Sequence, residues 1–411
     1  MSAFRLIRRG RSKTLRRLYR GPLAIYIDRI AAWYDEQGYG ARYAIASLKS
    51  VDRFGRWLDR RRVKLRDVDE HLIDRYFLQC PARSHGGIRI ALRRLLLVLR
   101  ESGASPPLLV ARGPAQMLED DFKQYLVNEC GLAAPTIENY VDAAHIFLAA
   151  LFGQDRRDPS QWTAADVLTF VRQHAQARRP VHMQHLCVGL RSFLRYLRFR
   201  GKTQRDLAST VPRIAHWRLA TLPKFLSPAQ VKCVLANCNR YTTIGRRNHA
   251  VLMLLARLGL RASEVRSLTL DDIDWRNGHL TIHGKGRGPE QMPLPRDVGS
   301  ALAAYLANGR PPSTSRAVFV RLTPPHTQFP NGGAVTSIAA DAMRAAGVDA
   351  PRKGAHVFRH TLATRMLRDG ASLREIGQVL RHRDEDTTRI YAKVDLTRLR
   401  SLALSWPGSA S

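Results

Sequence analysis

Apolar residues recur every three or four positions through most of this 411-residue chain, which is the period of helices that bury one face. The two clearest runs are Ile90–Gly103 and Val188–Gly201, in which leucines line one side, arginines line the other and a glycine ends the pattern. Alignment of the runs superimposes six identical pairs of residues. These are Leu92/Leu190, Arg93/Arg191, Leu96/Leu194, Leu99/Leu197, Arg100/Arg198 and Gly103/Gly201. The pattern predicts two helices of one design.

The similarity extends to the segments that precede these two helices. Each segment opens with a helix that ends at a glycine, Gly38 or Gly131, and continues with a second helix and a short third one. Chance similarity between amphipathic helices is the alternative explanation, but the matching order of four elements favours duplication. The sequence therefore predicts two basic, all-helical units at residues 22–104 and 115–201, followed by a proline-containing linker at residues 202–226.

A different pattern runs from residue 227 to residue 411, where helical runs alternate with glycine-rich turns and short strand-like segments. The predicted helices are Ala229–Asn237, Arg247–Leu258, Asp297–Ala307, Val335–Ala345, Ala355–Arg368, Ser372–Arg381 and Asp386–Val394. The predicted strands are His279–Gly288, which enters a hairpin, then Met292–Leu294 and Ala317–Arg321. The expected fold class is a mainly α domain with a small β-sheet (α+β), preceded by one or two all-α domains.

Charge is the outlier of the composition, since 67 basic residues against 34 acidic ones give a formal net charge of +33. Such a balance points to a polyanion, most simply nucleic acid. A GC-rich genome would also enrich arginine, but no acidic residue lies between Asp206 and Glu264, which argues against composition as the whole cause. We expect the upstream helical units to bind DNA. The candidate DNA contacts are Arg191, Arg198, Arg213, Arg218, Arg246, Arg247 and Arg287.

Other compositional features narrow the class of protein. Residues 1–21 are basic and contain no acid, which fits a DNA-contacting arm better than a transit peptide or a secretory signal. No apolar run approaches the length needed to span a bilayer, and five cysteines without a C-x-x-C pair indicate neither a disulfide framework nor a zinc site. These features predict a protein of the bacterial cytoplasm, associated with the nucleoid and not with a membrane.

Six side chains between residues 261 and 391 form a set suited to attack on a phosphodiester. They are Arg261, Lys285, His356, Arg359, His382 and Tyr391. Such a reaction needs a nucleophile, a proton donor for the leaving oxygen and positive hydrogen-bond donors around the phosphorus. We find no cluster of carboxylates suited to a metal ion, so no metal or other cofactor is expected.

Each member of the set has an ordinary explanation when it is taken by itself. An arginine and a glutamate spaced like Arg261 and Glu264 usually form a solvated helix pair, although this glutamate could instead orient the guanidinium. Lys285, between two glycines, could be an exposed turn lysine, and Tyr391 is one of twelve tyrosines. The H-x-x-R spacing is a weak signal as well, since the adjacent His360 shows that histidine is not rare here. The order of the whole set therefore carries the argument.

The ordered motifs are R-A-S-E, then G-K-G in a hairpin, then H-V-F-R-H-T-L-A-T, then L-R-H with a tyrosine nine residues after the histidine. This set resembles the tyrosine recombinases, the phage integrase family, across Ser227–Leu404, and residues 115–201 look like the family's helical core-binding domain. The resemblance implies a site-specific recombinase that acts in DNA integration, excision or transposition. It also implies that Tyr391 attacks DNA and forms a 3′-phosphotyrosyl link, without metal or ATP.

The resemblance further implies a role for each of the other matching residues. Arg261 and Arg359 would hold the scissile phosphate, and His382 would donate a hydrogen bond to it. Lys285 would protonate the leaving 5′-oxygen, and His356 would assist proton transfer with the nucleophile. The expected partners are double-stranded DNA and further copies of the chain, four in the synaptic complex, while the need for partner recombinases is left open.

The chain departs from the family pattern in three places. Arg381 stands where the family usually has glycine, which puts the local turn geometry in doubt, and Lys393 stands where histidine is common. The unit at residues 22–104 is not part of the minimal family plan, and we interpret it as an additional DNA-binding module. The sequence leaves two alternative functions, a catalytically silent DNA-binding accessory protein and a type IB-like topoisomerase.

Overall fold

The structure is a computed structural model that describes residues 18–79, 85–105, 113–152, 158–177, 180–214, 224–284, 288–350, 353–382 and 386–392. The described residues divide into two compact units, of which one comprises residues from 108 to 220 and the other combines those before and after that range. The predicted boundaries of the individual domains stay a prediction. In the described part of the chain, no helix has both the length and the apolar character required to cross a bilayer.

Before position 107, the described residues include four named α-helices and one 3₁₀ turn around a hydrophobic core of their own. The elements are α1 (Ala24–Glu36), α2 (Ala41–Arg60), the 3₁₀ turn Leu65–Asp67, α3 (Glu70–Leu78) and α4 (His85–Glu101). Asp69 begins α3 by accepting a hydrogen bond from the Leu72 backbone N–H at 2.7 Å, as an N-cap aspartate does. Phe54 and Trp57 of α2 lie in this core.

The second compact unit repeats this order of elements. It contains α5 (Pro114–Asn128), α6 (Ala134–Phe152), the 3₁₀ turn Pro159–Gln161, α7 (Ala164–Ala177) and α8 (Pro180–Phe199). Glycines with positive φ follow the first and last helix of both sets, at 76° and 70° for Gly38 and Gly103 and at 58° and 68° for Gly131 and Gly201. The predicted repetition of four helical elements is therefore confirmed at the level of secondary structure.

The remaining residues form a third arrangement, mostly helical with one small sheet. Its helices are α9 (Pro228–Ala236), α10 (Thr243–Leu258), α11 (Ala262–Ser267), α12 (Arg296–Asn308), α13 (Gly333–Ala345), α14 (Ala355–Arg368), α15 (Leu373–Val379) and α16 (Asp386–Arg389). The strands β1 (Ile273–Asp274), β2 (His279–His283) and β3 (Pro289–Pro293) form an antiparallel sheet in that order. The expected α+β fold class is confirmed.

The predicted strand at Ala317–Arg321 is wrong. Its first four residues, Ala317–Val320, are apolar and buried, but the run makes only isolated bridges, from Ala317 to Thr269 and from Val320 to Gln328. The guanidinium of Arg310 donates hydrogen bonds to the Ala317 and Val318 carbonyl oxygens at 3.0–3.3 Å. These acceptors are therefore used by a side chain instead of a neighbouring strand.

The hydrophobic core of this third arrangement is centred on α10, which is buried continuously from Ala250 to Leu255. Helices α12 and α14 pack on it, and a smaller apolar cluster joins α14 and α15 to Tyr391. This packing brings together the C-terminal end of α10, one face of α14 and the segment after α15. Those three places carry the polar side chains described next.

Candidate active site

Arg261 is held by the turn between α10 and α11. The backbone of Gly259 has a φ of 59°, which glycine adopts without strain, and Arg261 then becomes the N-cap of α11. The buried Glu264 carboxylate accepts hydrogen bonds from the Arg261 backbone N–H at 2.8 Å and from its Nη1 at 2.6 Å. Because the carboxylate is buried and bonded twice to Arg261, this is not a solvated helix pair but a fixed orientation of the guanidinium.

The ionisation of Glu264 depends on its positive neighbours. Burial would raise the pKa of its carboxyl group, but the Arg261 backbone hydrogen bond and the charges of Arg381 and Arg261 outweigh burial and lower that pKa below its ordinary value. The carboxylate therefore stays negative at neutral pH.

Arg359 joins two segments of backbone through its guanidinium. It lies on α14, is only 5% exposed, and donates from Nη1 to the Gly259 carbonyl oxygen at 2.6 Å and from Nη2 to the Leu380 carbonyl oxygen. Burial, followed by the nearby charge of Arg261, lowers the pKa of Arg359 to about 10, so the group remains protonated at neutral pH. Arg359 thus ties the end of α10 to the chain that enters His382.

His382 is kept neutral by its surroundings. Its Nδ1 lies 2.7 Å from Oγ1 of Thr388, whose side chain is buried. Burial, reinforced by the charges of Arg359 and Arg261, lowers the pKa of His382 to about 4. When the Thr388 hydroxyl donates to Nδ1, the ring proton resides on Nε2, which makes Nε2–H a hydrogen-bond donor at neutral pH.

Tyr391 is the most buried member of the site, with 1% of its surface exposed. Its ring is nearly parallel to that of His382, with centroids 6.3 Å apart and an angle of 6° between the planes. Burial raises the pKa of Tyr391 to about 12, although the charges of Arg359 and Arg261 act in the opposite direction. The phenol is therefore protonated at neutral pH and requires a proton acceptor before it can act as a nucleophile.

The hydroxyl of Tyr391 lies within hydrogen-bond distance of His360, a residue that sequence reasoning set aside. The separation between Tyr391 Oη and His360 Nδ1 is 2.9 Å. His356, which the sequence singled out, is exposed and lies one turn earlier on α14, with its ring centroid 6.5 Å from that of His360. The spacing of four residues places both histidines on the same face of the helix, and this was the available signal.

Arg381 completes the cluster from the turn before His382. Its φ of 53° lies in the left-handed region, which explains why the position suits glycine. Its Nη2 donates to Oε2 of Glu264 at 2.8 Å, and its own carbonyl oxygen accepts from Nη2 of Arg261 at 3.1 Å. The predicted difficulty of the turn is thus real, and the chain accommodates a buried arginine there.

Several predicted residues lie outside the described part of the structure. They are Lys285, Arg287, Arg218 and Lys393. The base of the hairpin that carries Lys285 is described, and there His283 Nε2 lies 2.8 Å from Oδ1 of the buried Asp272. The described ranges contain no group of three or more His, Cys, Asp or Glu side chains arranged to hold a metal ion.

The described candidate DNA contacts differ in their surroundings. In the unit of residues 108–220, Arg213 is exposed, Arg198 lies 3.5 Å from Asp206, and Arg191 donates to the Val211 and Pro212 carbonyl oxygens. All of these residues except Arg198 line one polar groove of about 440 Å³. The DNA-contacting role of these arginines stays a prediction.

The other two described candidates lie at the start of α10. Arg246 donates to the Asn308 carbonyl oxygen at 2.9 Å. Arg247 is half-buried, donates to Oδ1 of Asn248 and lies over the ring of Phe329. Its guanidinium therefore has partners within the domain. The predicted contact of Arg247 with DNA stays a prediction.

The assembled site defines a class of protein, because a buried tyrosine beside two fixed guanidinium groups and a neutral histidine is suited to phosphodiester transfer. The family model described as the phage integrase family matches residues 224–398. A putative integrase/recombinase of Sinorhizobium fredii, y4rA, is 40% identical to this chain and covers 95% of it and 96% of its own length. Tyrosine recombinase XerD of Listeria monocytogenes is 31% identical over 69% of this chain and 96% of its own.

The chain therefore belongs to the phage integrase family of tyrosine recombinases, and it is an enzyme that breaks and rejoins DNA strands. Solved structures agree on the fold. The XerH recombinase bound to difH substrate, in its pre-cleavage complex, has a TM-score of 0.53 at 17% identity and covers 71% of this chain and 84% of its own. A lambda integrase(75-356) dimer bound to a COC' core site has a TM-score of 0.51 at 12% identity, with coverage of 67% and 94%.

Proposed function

We propose that Tyr391 cleaves one strand of duplex DNA at a specific site and holds its 3′ end as a phosphotyrosyl ester until a second strand takes its place. One observation carries the proposal: Arg261, Arg359 and the pair His382 and Tyr391 come from three separate parts of the sequence and meet in one cluster whose charges act on the tyrosine. A cluster of this kind stabilises the phosphorane, in which negative charge develops on the phosphate oxygens.

In the proposed first step, the phenolic oxygen of Tyr391 forms a bond to phosphorus while the bond from phosphorus to the 5′-oxygen breaks. The phenolic proton leaves to a histidine of α14, and Lys285 supplies a proton to the 5′-oxygen. Arg261 and Arg359 hold the non-bridging oxygens, and the neutral His382 donates a hydrogen bond from Nε2. The ester conserves the energy of the broken bond, so a 5′-hydroxyl can reverse the step and join a different strand.

The identity of the proton acceptor is the part of this mechanism that the geometry refines. His356 was assigned that role by resemblance, whereas the nearest imidazole nitrogen to the Tyr391 hydroxyl belongs to His360 at 2.9 Å. We propose that His360 holds the phenol in the resting enzyme and that His356, exposed one turn earlier, faces the DNA. Both residues then serve one proton-transfer path along the same face of α14.

We propose duplex DNA as the substrate and a tetramer on two DNA sites as the active assembly. The solved relatives include a lambda integrase tetramer bound to a Holliday junction, and the net charge of +33 suits a polyanionic partner. The repeated helical units at residues 22–104 and 115–201 would both bind DNA, the second as the core-binding domain. The place of action would be the bacterial cytoplasm, at the nucleoid, in integration, excision or transposition.

A nicked duplex that carries the recognition site tests this proposal, because loss of the short strand traps the covalent intermediate on a denaturing gel. The wild type should form the adduct and Tyr391→Phe should not. Tyr305→Phe is the matched control, since Tyr305 is also a buried tyrosine of the same domain and lies outside the site. Tight binding without an adduct would instead indicate the accessory protein, and adducts without joint molecules between two sites would indicate the topoisomerase.

A further inference from the structure

We propose that Arg381 is a positioning residue of the site, a third guanidinium of the cluster that neutralises Glu264 and so leaves the positive charge of Arg261 available to the DNA phosphate. The inference rests on the proposed function and concerns how this particular chain performs it. Three features support it, namely the ion pair of Arg381, the unusual backbone conformation of that residue and the net charge of the cluster.

The ion pair places Arg381 in direct contact with the carboxylate that orients Arg261. Oε2 of Glu264 accepts from Nη2 of Arg381 at 2.8 Å, while Oε1 accepts from Nη1 of Arg261 at 2.6 Å. The side chains of Arg381 and Glu264 are 8% and 3% exposed, whereas that of Arg261 is 35% exposed. Water therefore screens the Arg381–Glu264 pair weakly, and the two charges interact strongly inside the domain.

The backbone of Arg381 indicates that the side chain is kept despite a conformational penalty. Its φ of 53° is unfavourable for any residue with a Cβ atom, and glycine would avoid the cost. Arg381 also contacts the hairpin, because its Nη1 lies 3.4 Å from Sδ of Met292 on β3. The contacts of the Arg381 side chain with α11 and β3 therefore hold the residue in an unfavourable backbone conformation.

Arg381 raises the net positive charge of the cluster. Arg261, Arg359 and Arg381 contribute three positive charges, and Glu264 contributes one negative charge, so the cluster carries a net charge of +2. Without Arg381, the Glu264 carboxylate would be compensated by Arg261, and the net charge would fall to +1. A phosphorane carries more negative charge than the ground-state diester, so the transition state loses more than DNA binding does.

Single-turnover cleavage of the nicked duplex, measured over a range of enzyme concentrations, tests this role. Arg381→Gln keeps a long polar side chain and the same backbone cost but removes the charge. We expect its maximal cleavage rate to fall roughly a hundredfold, the scale of losing one preorganised electrostatic group, while the half-saturating concentration stays within about twofold of wild type. Arg381→Lys should retain more activity than Arg381→Gln, because it keeps the charge.

Two further variants separate this charge effect from a merely structural one. Arg381→Gly relieves the left-handed backbone and should fold as well as the wild type in a thermal melt, yet it should cleave as slowly as Arg381→Gln. In the double variant Glu264→Gln/Arg381→Gln, both charges are removed and the net charge of +2 is restored. We therefore expect the double variant to cleave faster than Arg381→Gln, whereas losses of packing would accumulate.

The outcomes are distinct. Adduct formation by the wild type reports on the proposed function, and the ratios among variants report on Arg381; a wild type without adduct overturns both. Wild-type cleavage by Arg381→Gly or Arg381→Gln overturns the positioning role. A double variant that cleaves no faster than Arg381→Gln overturns the charge argument, as does a loss of DNA binding equal to the loss of rate.

Discussion

The phenolic oxygen of Tyr391 and Nδ1 of His360 are 2.9 Å apart, so the proposed nucleophile is hydrogen-bonded to a histidine that lies next to Arg359 in the sequence. This contact ties the short α16 segment to α14. It gives the buried hydroxyl a partner and places a proton acceptor where the phenol needs one.

His360→Ala should slow cleavage of the nicked duplex by at least roughly tenfold, because it removes an acceptor within reach of the reacting proton. It should also lower the free energy of unfolding by about 1–3 kcal/mol, since the buried Tyr391 hydroxyl loses its partner. His360→Asn keeps an acceptor near the position of Nδ1 and should recover the stability but little of the rate. Equal cleavage by His360→Ala and wild type would exclude His360 from the reaction.

Gly259→Ala should destabilise the domain more than Gly278→Ala does. Both glycines have positive φ, 59° and 67°, and an alanine at either costs about 1–2 kcal/mol. At Gly259 the added Cβ would also lie 2.8 Å from a Leu380 methyl group and 3.0 Å from one of Leu362, whereas nothing lies within 4 Å at Gly278. Overpacking should add about 1–3 kcal/mol, measured by urea unfolding.

Cleavage by these two glycine variants checks the same geometry independently. The Gly259 carbonyl oxygen is an acceptor for Arg359, so Gly259→Ala should reduce the cleavage rate as well. Gly278→Ala should cleave like the wild type. Equal losses of stability in both variants would show that the contact with the leucine side chains is unimportant.

The contribution of His382 to stability should depend on pH. Its pKa is lowered from 6.5 to about 4 in the folded protein, so below pH 6.5 the unfolded chain takes up a proton that the folded protein does not. The neutral His382 therefore stabilises the fold fully above pH 6.5, and this contribution is lost as the pH falls toward 4. Urea unfolding of wild type and His382→Gln at pH 7, 6 and 5 measures it.

The difference in the free energy of unfolding between these two proteins should shrink steadily from pH 7 to pH 5. A difference that stays constant would mean that His382 titrates alike in the folded and unfolded states. The cleavage rate of the wild type should show no titration of His382 between pH 6 and pH 8, because the ring remains neutral in that range.

The salt dependence of DNA affinity should distinguish arginines that contact DNA from those whose partners lie within the protein. Arg213 is exposed, and Arg213→Ala should reduce the slope of log K against log salt by about 1, the effect of one lost phosphate contact. Arg247 also has partners within the fold, since it bonds Asn248 and covers Phe329, so Arg247→Ala should lower the melting temperature and change the slope less than Arg213→Ala does. Titrations of a labelled duplex at several salt concentrations measure both slopes, and a reversed order would contradict the assignment.

Much of the fold followed from apolar spacing, because helices with one buried face leave a clear period in the sequence. The predicted helix Ala355–Arg368 has the observed bounds. The two predicted helical units contain the same elements in the same order, as the sequence similarity indicated. The run at Ala317–Arg321 failed because its burial arises among helices, with Arg310 as the partner of its carbonyls. Local pattern records burial but not which element supplies the hydrogen bonds.

The candidate site was predictable in part for a related reason. Motif order identified Arg261, Arg359, His382 and Tyr391, which the structure brings together. The spacing along α14 could not decide between His356 and His360, because the answer depends on where Tyr391, 31 residues after His360, folds back. Nor could it foresee that Arg381 would turn inward to Glu264, since that contact joins residues 117 positions apart.

The anchoring of Arg359 has a consequence for how such an enzyme can change its target. Both of its acceptors are main-chain oxygens, those of Gly259 and Leu380, so a substitution of a surface side chain removes neither of them. Selection for a new recognition sequence can therefore substitute surface residues freely without disturbing this centre. When the enzyme is retargeted in the laboratory, mutant libraries should leave Gly259 and Leu380 unchanged and should vary the arginines of the helical units.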